Sequence, residues 1–357
     1  MKTSVFLESH NLKNRAGGLG TFNYEVIKAI SEKQIADLSI TLNIKDTQKL
    51  KAEFGDTFNY QKYTSLHRHS IFRPRKKYDI WHSLNQNTKV EPFYKPKKAY
   101  ILTIHDVNFA EEQATDPNHK ANQIFRKKLE RADAITYISE FAKKQTHQYF
   151  EVPKVSETVI YNGNPIREII LDNDFVSNLR VDKPFFFSLG DFIERKNFIS
   201  IIKMMKEIKD FNLIIAGNND KAYGDEVRKF IAENQLQDRV FLTGKIDEKA
   251  KQFYLKNCTA FLFPSIREGF GLPPIEAMRF EKPVFLSDKT SLPEIGGDAA
   301  FYWKDFDPNY MKEVLFEKLD YFENNKALHQ QKLLERSIFF DWNKAADEYL
   351  ALYRSFI

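Results

Sequence analysis

Short runs of Val, Ile, Leu, Phe and Tyr, four to seven residues long, alternate along this chain with longer segments whose apolar residues recur at helical spacing. A strand buried on both faces reads as a continuous apolar run, and a parallel neighbour needs a crossover long enough to hold a helix. The pattern therefore predicts an α/β chain with parallel sheets. In the first half the strand candidates are residues 4–7, 38–44, 79–84, 99–104, 134–138 and 158–161. A second series, at 185–189, 212–216, 240–243, 260–263 and 283–287, follows the charged, irregular stretch 167–182. Two such series in 357 residues predict two doubly wound, Rossmann-like domains, 1–166 and 183–339, linked by 167–182. Ligands of such sheets lie beyond the carboxyl ends of the strands, which points to a cleft between the two domains. Residues 340–357 place Trp342, Ala345, Ala346, Tyr349, Leu350 and Tyr353 on one helical face, which needs a domain to pack on.

Composition excludes several classes. Hydrophobic residues make up 42% and charged residues 29%, which suits a globular chain with packed cores. The single cysteine, Cys258, rules out an intramolecular disulfide and a cysteine-rich zinc site, and it is expected as a small core residue. Near the N-terminus the only apolar run is Val5, Phe6 and Leu7, so no signal-peptide core is expected, and no stretch reaches the roughly 20 apolar residues that cross a bilayer. The expectation is a cytoplasmic protein whose membrane contact would be peripheral, on the inner face of the plasma membrane. Residues 1–165 carry 26 Lys and Arg against 18 Asp and Glu, and the remainder 28 against 31, so the basic half is the first. Its densest run, His67, Arg68, His69, Arg73, Arg75, Lys76 and Lys77 around Ile71 and Phe72, reads either as a solvated loop or as an attractor for an anionic membrane or acceptor. No aromatic-basic ribonucleoprotein signature is present, so nucleic acid is not an expected partner.

Four places carry candidate chemistry. Gly17, Gly18 and Gly20 follow the first strand and precede the helical pattern Phe22, Val26, Ile27, Ile30; glycine lets backbone approach a phosphate, and a helix start offers N–H groups, although a tight strand-to-helix turn explains the same residues. His105 and Asp106 come directly after the strand 99–104, where His105 can donate to a sugar hydroxyl or a phosphate oxygen, or simply make a structural hydrogen bond. Arg195 and Lys196, just past Gly190, suit a pyrophosphate whose leaving charge must be neutralised; a solvated cation pair is the plainer alternative. Residues 264–278 join a buried strand, a turn with Gly269 and Gly271, and a helix opened by Pro273 and Pro274, with Glu268 and Glu276 as acceptors for paired hydroxyls. Sequence spacing alone does not give the carboxyl separation that a hydrolytic pair would need.

In order, Gly17-Gly18-x-Gly20, His105-Asp106, Arg131-Ala132-Asp133 with Ile138-Ser139-Glu140, Tyr161-Asn162-Gly163, Arg195-Lys196-Asn197, Glu268-x7-Glu276 and Ser291-Leu292-Pro293-Glu294 make the chain resemble the retaining glycosyltransferases of family 4, which have the GT-B fold. The resemblance covers nearly the whole chain. It implies that the loop of Gly17, Gly18 and Gly20 faces the donor phosphates across the cleft, that Arg195 and Lys196 hold the diphosphate, and that His105 lies near the transferred sugar. It implies further that Glu268 meets the sugar hydroxyls beside the N–H groups of Phe270 and Gly271, that Glu276 binds the ribose, and that the backbone at Ser291 and Leu292 meets phosphate or ribose. Base recognition is expected around residues 244–247, and the helix after residue 340 resembles one that crosses back onto the N-terminal domain. The implied reaction moves a hexose, mannose first and glucose next, from a nucleoside-diphosphate sugar to a glycan or lipid-linked polysaccharide precursor, with no metal and no cofactor. Asp191 departs from the family pattern, and a carboxylate there must either point away from the diphosphate or pair with a neighbour. A sugar-nucleotide epimerase of the same fold and a non-catalytic scaffold or surface-binding protein are the alternatives.

Overall fold

The computed structural model describes residues 2–357 apart from Ala16 and residues 113–115, 171–178, 180 and 181. Most of the stretch 167–182, predicted as the link between domains, thus lies outside the described residues. The chain divides into two compact units, one of Met1–Pro165 with Asp341–Ile357, the other of Ile166–Phe340.

The N-terminal unit holds β1 (Thr3–Glu8), β2 (Leu38–Ile44), β3 (Asn59–Lys62), β4 (Ile80–Ser83), β5 (Ala99–Ile104), β6 (Ala134–Tyr137) and β7 (Ser156–Val159). They form one sheet in the order β3-β2-β1-β4-β5-β6-β7, every neighbouring pair parallel. β1, β4 and β5 are buried on both faces, which is why they read as apolar runs. The edge strands β3 and β7 are half-exposed and polar. For that reason β3 has no apolar signature, and β7 lies two residues ahead of the predicted 158–161, whose apolar residues continue past the strand end.

The C-terminal unit holds β8 (Phe185–Leu189), β9 (Asn212–Ala216), β10 (Val240–Gly244), β11 (Ala260–Phe263), β12 (Val284–Ser287) and β13 (Phe301–Trp303). Its sheet runs β10-β9-β8-β11-β12-β13, again parallel throughout. Phe186, Phe187, Ile214, Ile215, Phe261, Leu262 and Phe285 fill its centre, and Cys258 is buried with them. Strand order reverses at β8 and β11, so the loops leaving these two neighbours open a crevice at the carboxyl edge.

The helix Trp342–Arg354 belongs to the N-terminal unit. Its predicted face, Trp342, Ala345, Ala346, Tyr349, Leu350 and Tyr353, is buried throughout. The Tyr353 hydroxyl lies 2.7 Å from His82 Nδ1, whose other ring nitrogen is 2.7 Å from Thr103 Oγ1. Gly163 makes room for the start of this helix, because a Cβ there would stand 2.1 Å from the Trp342 nitrogen. At the rim Arg354 pairs with Asp37 and Lys33 with Asp347.

Candidate functional site

In the C-terminal unit the two loops of the switch point bring the sequence candidates together. β8 ends at Gly190, and the short turn Glu194–Lys196 follows; Asn197 closes it in the left-handed region at φ 52° and starts the helix Phe198–Met205. From β11 the chain enters the turn carrying Ser265 and Glu268, then Gly271, whose φ of 122° favours glycine, and the helix Leu272–Met278 with prolines in its first turn. Lys196 Nζ meets Glu268 Oε1 at 2.6 Å and Arg195 Nη1 meets Oε2 at 3.1 Å. Ser265 donates to Oε1 at 2.7 Å, and Arg195 also donates to the Arg267 carbonyl at 2.5 Å. The Lys196 ammonium stands 4.6 Å from the Phe263 ring centre. Both Lys196 and Glu268 are buried. Burial would push the Glu268 carboxyl up, but Lys196 and Arg195 outweigh it and hold the group down at about 2. Burial pulls Lys196 down against the attraction of the same carboxylate.

The turn is fastened from behind. The Glu268 N–H donates to Thr290 Oγ1 at 3.0 Å, and the Ser291 hydroxyl spans the carbonyls of Glu268 at 3.0 Å and Phe270 at 2.7 Å. The Ser291 side chain is therefore spent on holding the turn, and the buried Leu292 packs against it, its Cδ2 3.1 Å from where a Gly271 Cβ would lie. The Phe270 ring packs on Phe340 with centroids 5.3 Å apart, so this residue offers the site backbone only. Glu276 forms a separate buried pair: Lys251, from the helix Glu248–Asn257, meets its Oε1 at 2.8 Å and Glu248 at 2.8 Å. Burial lowers the Lys251 ammonium, yet these two carboxylates raise it overall. Asp191 pairs with Lys221 at 2.9 Å, which is the second of the two outcomes open to it.

In the N-terminal unit Gly17 caps the helix Gly18–Ser31. A Cβ at Gly20 would stand 1.8 Å from the Asn14 carbonyl oxygen, so the loop and the helix meet there without space for a side chain. That helix carries Phe22, whose ring meets the edge of His105 at 4.5 Å. His105 is buried, and burial lowers its imidazole to about 4, so it is neutral at pH 7. Its Nε2 is 2.9 Å from the Leu84 carbonyl, which only accepts, so Nε2 carries the proton and Nδ1 is left as an acceptor. Of the two sequence readings of His105, the structural hydrogen bond is the one found, and it occupies the Nε2 proton.

Several supporting groups escaped the sequence. Gln86 accepts from the His105 N–H at 3.0 Å and donates to the Asp106 carbonyl at 2.8 Å; it lies past the end of β4, where the strand-end rule would have found it. Lys128 donates to the carbonyls of Gln86 and Thr88 and, with Arg131, neutralises the buried Glu91. Lys251, Ser265 and Thr290 carry no motif signature. Among the described residues no cluster of three or more His, Cys, Asp or Glu side chains is placed to hold a metal ion, and no helix is long and apolar enough to cross a membrane.

The family described as Glycosyl transferases group 1 matches residues 170–339. The O-antigen chain mannosyltransferase RfbU of Salmonella typhimurium is 26% identical over 204 residues, 56% of this chain and 55% of that protein. An uncharacterised glycosyltransferase of Methanocaldococcus jannaschii is 28% identical over 247 residues, 69% of this chain and 65% of that protein. The chain thus spans less than two thirds of the length of these relatives. Among solved structures, sucrose-phosphate synthase of Thermosynechococcus elongatus superposes with a TM-score of 0.76 at 20% identity over 99% of both chains. Anabaena HepE in complex with UDP-glucose gives 0.77 at 14% identity, over 99% of this chain and 100% of that one. These likenesses show the fold, two Rossmann-like parallel sheets of the GT-B class. The protein thus has the GT-B fold, and most of its C-terminal unit, residues 170–339, is similar to the group 1 glycosyl transferases.

Proposed function

We propose that the protein is a glycosyltransferase that moves a hexose from a nucleoside-diphosphate sugar to a hydroxyl of a glycan or lipid-linked polysaccharide precursor, with retention at the anomeric carbon and without an obligatory metal or cofactor. The observation that supports this reading best is the cluster of Arg195, Lys196 and Glu268 at the switch point of the second sheet. An ionised carboxylate accepts from paired sugar hydroxyls, and Glu268 is ionised at any pH near neutrality. An ammonium has three N–H donors and a guanidinium five, so Lys196 and Arg195 retain donors for a diphosphate while holding Glu268. As the bond from the anomeric carbon to the diphosphate breaks, charge grows on the departing oxygen, and cations already in place lower that barrier. The acceptor oxygen bonds to the same carbon from the face the diphosphate leaves, and its proton passes to a donor phosphate oxygen.

Glu276, paired with Lys251, takes the ribose hydroxyls. In the N-terminal unit the neutral His105 accepts from a hydroxyl through Nδ1, and the loop of Gly17, Gly18 and Gly20 offers backbone to phosphate. Mannose is the first choice of sugar because the relatives include mannosyltransferases of O-antigen chains, and glucose the second because a neighbour of the same fold binds UDP-glucose. The test is a panel of nucleotide sugars read by thermal stabilisation, since a ligand at 100 times its Kd adds about 2.7 kcal/mol. Stabilisation by one donor, followed by a new glycosidic bond of retained configuration, is expected. A panel in which no nucleoside-diphosphate sugar stabilises the protein would overturn the proposal.

A further inference from the structure

The 22 residues 57–78 contain no aspartate or glutamate, but they carry Lys62, Arg68, Arg73, Arg75, Lys76 and Lys77. Their tip is built from two single-turn helices, Ser65–Arg68 and Ser70–Phe72, which leave Leu66 52%, Ile71 65% and Phe72 48% exposed. Phe93 and Tyr94, each 44% exposed, stand in the same patch: the Phe93 N–H donates to the Pro74 carbonyl at 3.3 Å. The Arg75 guanidinium lies 5.3 Å from the Phe93 ring centre and the Lys77 ammonium 5.0 Å from that of Tyr94.

Single exposed apolar residues are ordinary, whereas a cluster of five large ones marks an interaction surface. The chemistry of its surroundings selects the partner. Cations reach outward from aromatic faces around an apolar tip, and the segment that forms the tip offers no carboxylate to answer a basic protein surface. Aromatic rings and long cationic side chains of this kind suit the headgroup layer of a bilayer, where the rings lie among glycerol and ester groups and the cations meet phosphates. We propose that this patch docks on an anionic membrane surface, with Ile71 and Phe72 entering the boundary between headgroups and acyl chains and Arg68, Arg73, Arg75, Lys76 and Lys77 on lipid phosphates. The contact has two parts, a charge part that salt screens and an apolar part that it does not. It is independent of the transferase reading, because vesicle binding needs neither donor nor acceptor sugar.

The test is flotation of the full chain with vesicles of phosphatidylcholine alone or mixed with phosphatidylglycerol, at low and high salt. The wild type should bind the mixed vesicles, and raising salt should weaken this binding without abolishing it. I71S/F72S should lose the salt-resistant part. R75Q/K76Q/K77Q should bind mixed vesicles on the order of 100-fold more weakly, about fivefold for each cation near the surface. K206Q/K209Q/K256Q, which removes as many exposed cations from the C-terminal unit, should bind as the wild type does. The proposal is overturned if the wild type ignores mixed vesicles at low salt, if both patch variants bind normally, or if the control variant loses as much as they do.

Discussion

Replacing Glu268 by glutamine keeps the shape of the side chain and removes its charge, which isolates what the ion pairs with Lys196 and Arg195 contribute. Each cation at a charge separation near 4 Å attracts the carboxylate by roughly 4 kcal/mol at an effective dielectric of about 20. Desolvation of a buried carboxylate takes back several kcal/mol. The net is read from the titration: the carboxyl falls from an ordinary value of 4.5 to about 2, a displacement that corresponds to about 3 kcal/mol. Because the folded value is the lower one, this stability is fully present above pH 4.5 and is lost as pH falls through 2. E268Q should therefore destabilise the C-terminal unit by about 3 kcal/mol at pH 7, and the gap from wild type should narrow only below the ordinary carboxylate range. K196M should cost a similar amount by leaving Glu268 buried with one cation, and the double variant should cost about 2 kcal/mol less than the two single costs added together. Hydrogen exchange of amides in β8, β9 and β11 gives the opening free energy of this unit. If the single costs add to within about 0.5 kcal/mol in the double variant, the pair does not hold the turn as described.

Three further outcomes follow from the same geometry. E276A should weaken a free nucleoside diphosphate and the intact donor alike, whereas E268A should lower transfer by more than it changes the affinity for the diphosphate; calorimetry and kinetics that gave the reverse pattern would invert the two roles. If Arg195 acts where charge develops, as proposed, R195A should lower turnover on the order of 10² to 10³, and near-normal turnover would remove it from the diphosphate. Y353F should cost about 1–2 kcal/mol in the N-terminal unit by leaving His82 Nδ1 buried without its partner, a loss that urea unfolding would read.

What could be read in advance follows the physics of burial. β2, β5, β8, β9 and β11 have the bounds expected from apolar runs, because strands covered on both faces have no polar face to blur them. β3 and β13 went unread: the first is a polar edge strand, and the second is only three residues long. Arg195, Lys196 and Glu268 were visible as chemistry, but their union was not, since it depends on β8 and β11 lying side by side although β9 and β10 come between them in sequence. Lys251 stayed hidden because a lysine on a helix is ordinarily solvated, and only the fold brings its ammonium within 2.8 Å of Glu276. For His105 the position at a strand end was legible, but its protonated nitrogen was decided by the Leu84 carbonyl, which no local pattern reveals.

The membership of Trp342–Arg354 in the N-terminal unit has a consequence for synthesis. Phe22, His82 and Thr103 are made early, yet the tyrosines and tryptophan that cover them arrive only after the whole of Ile166–Phe340 has been translated. At about 5–20 residues per second that delay is roughly ten to forty seconds. During it the unit made first is missing part of its core, while the unit made second, continuous in sequence, can complete its own. The unit whose translation begins first is therefore the one whose core is completed last.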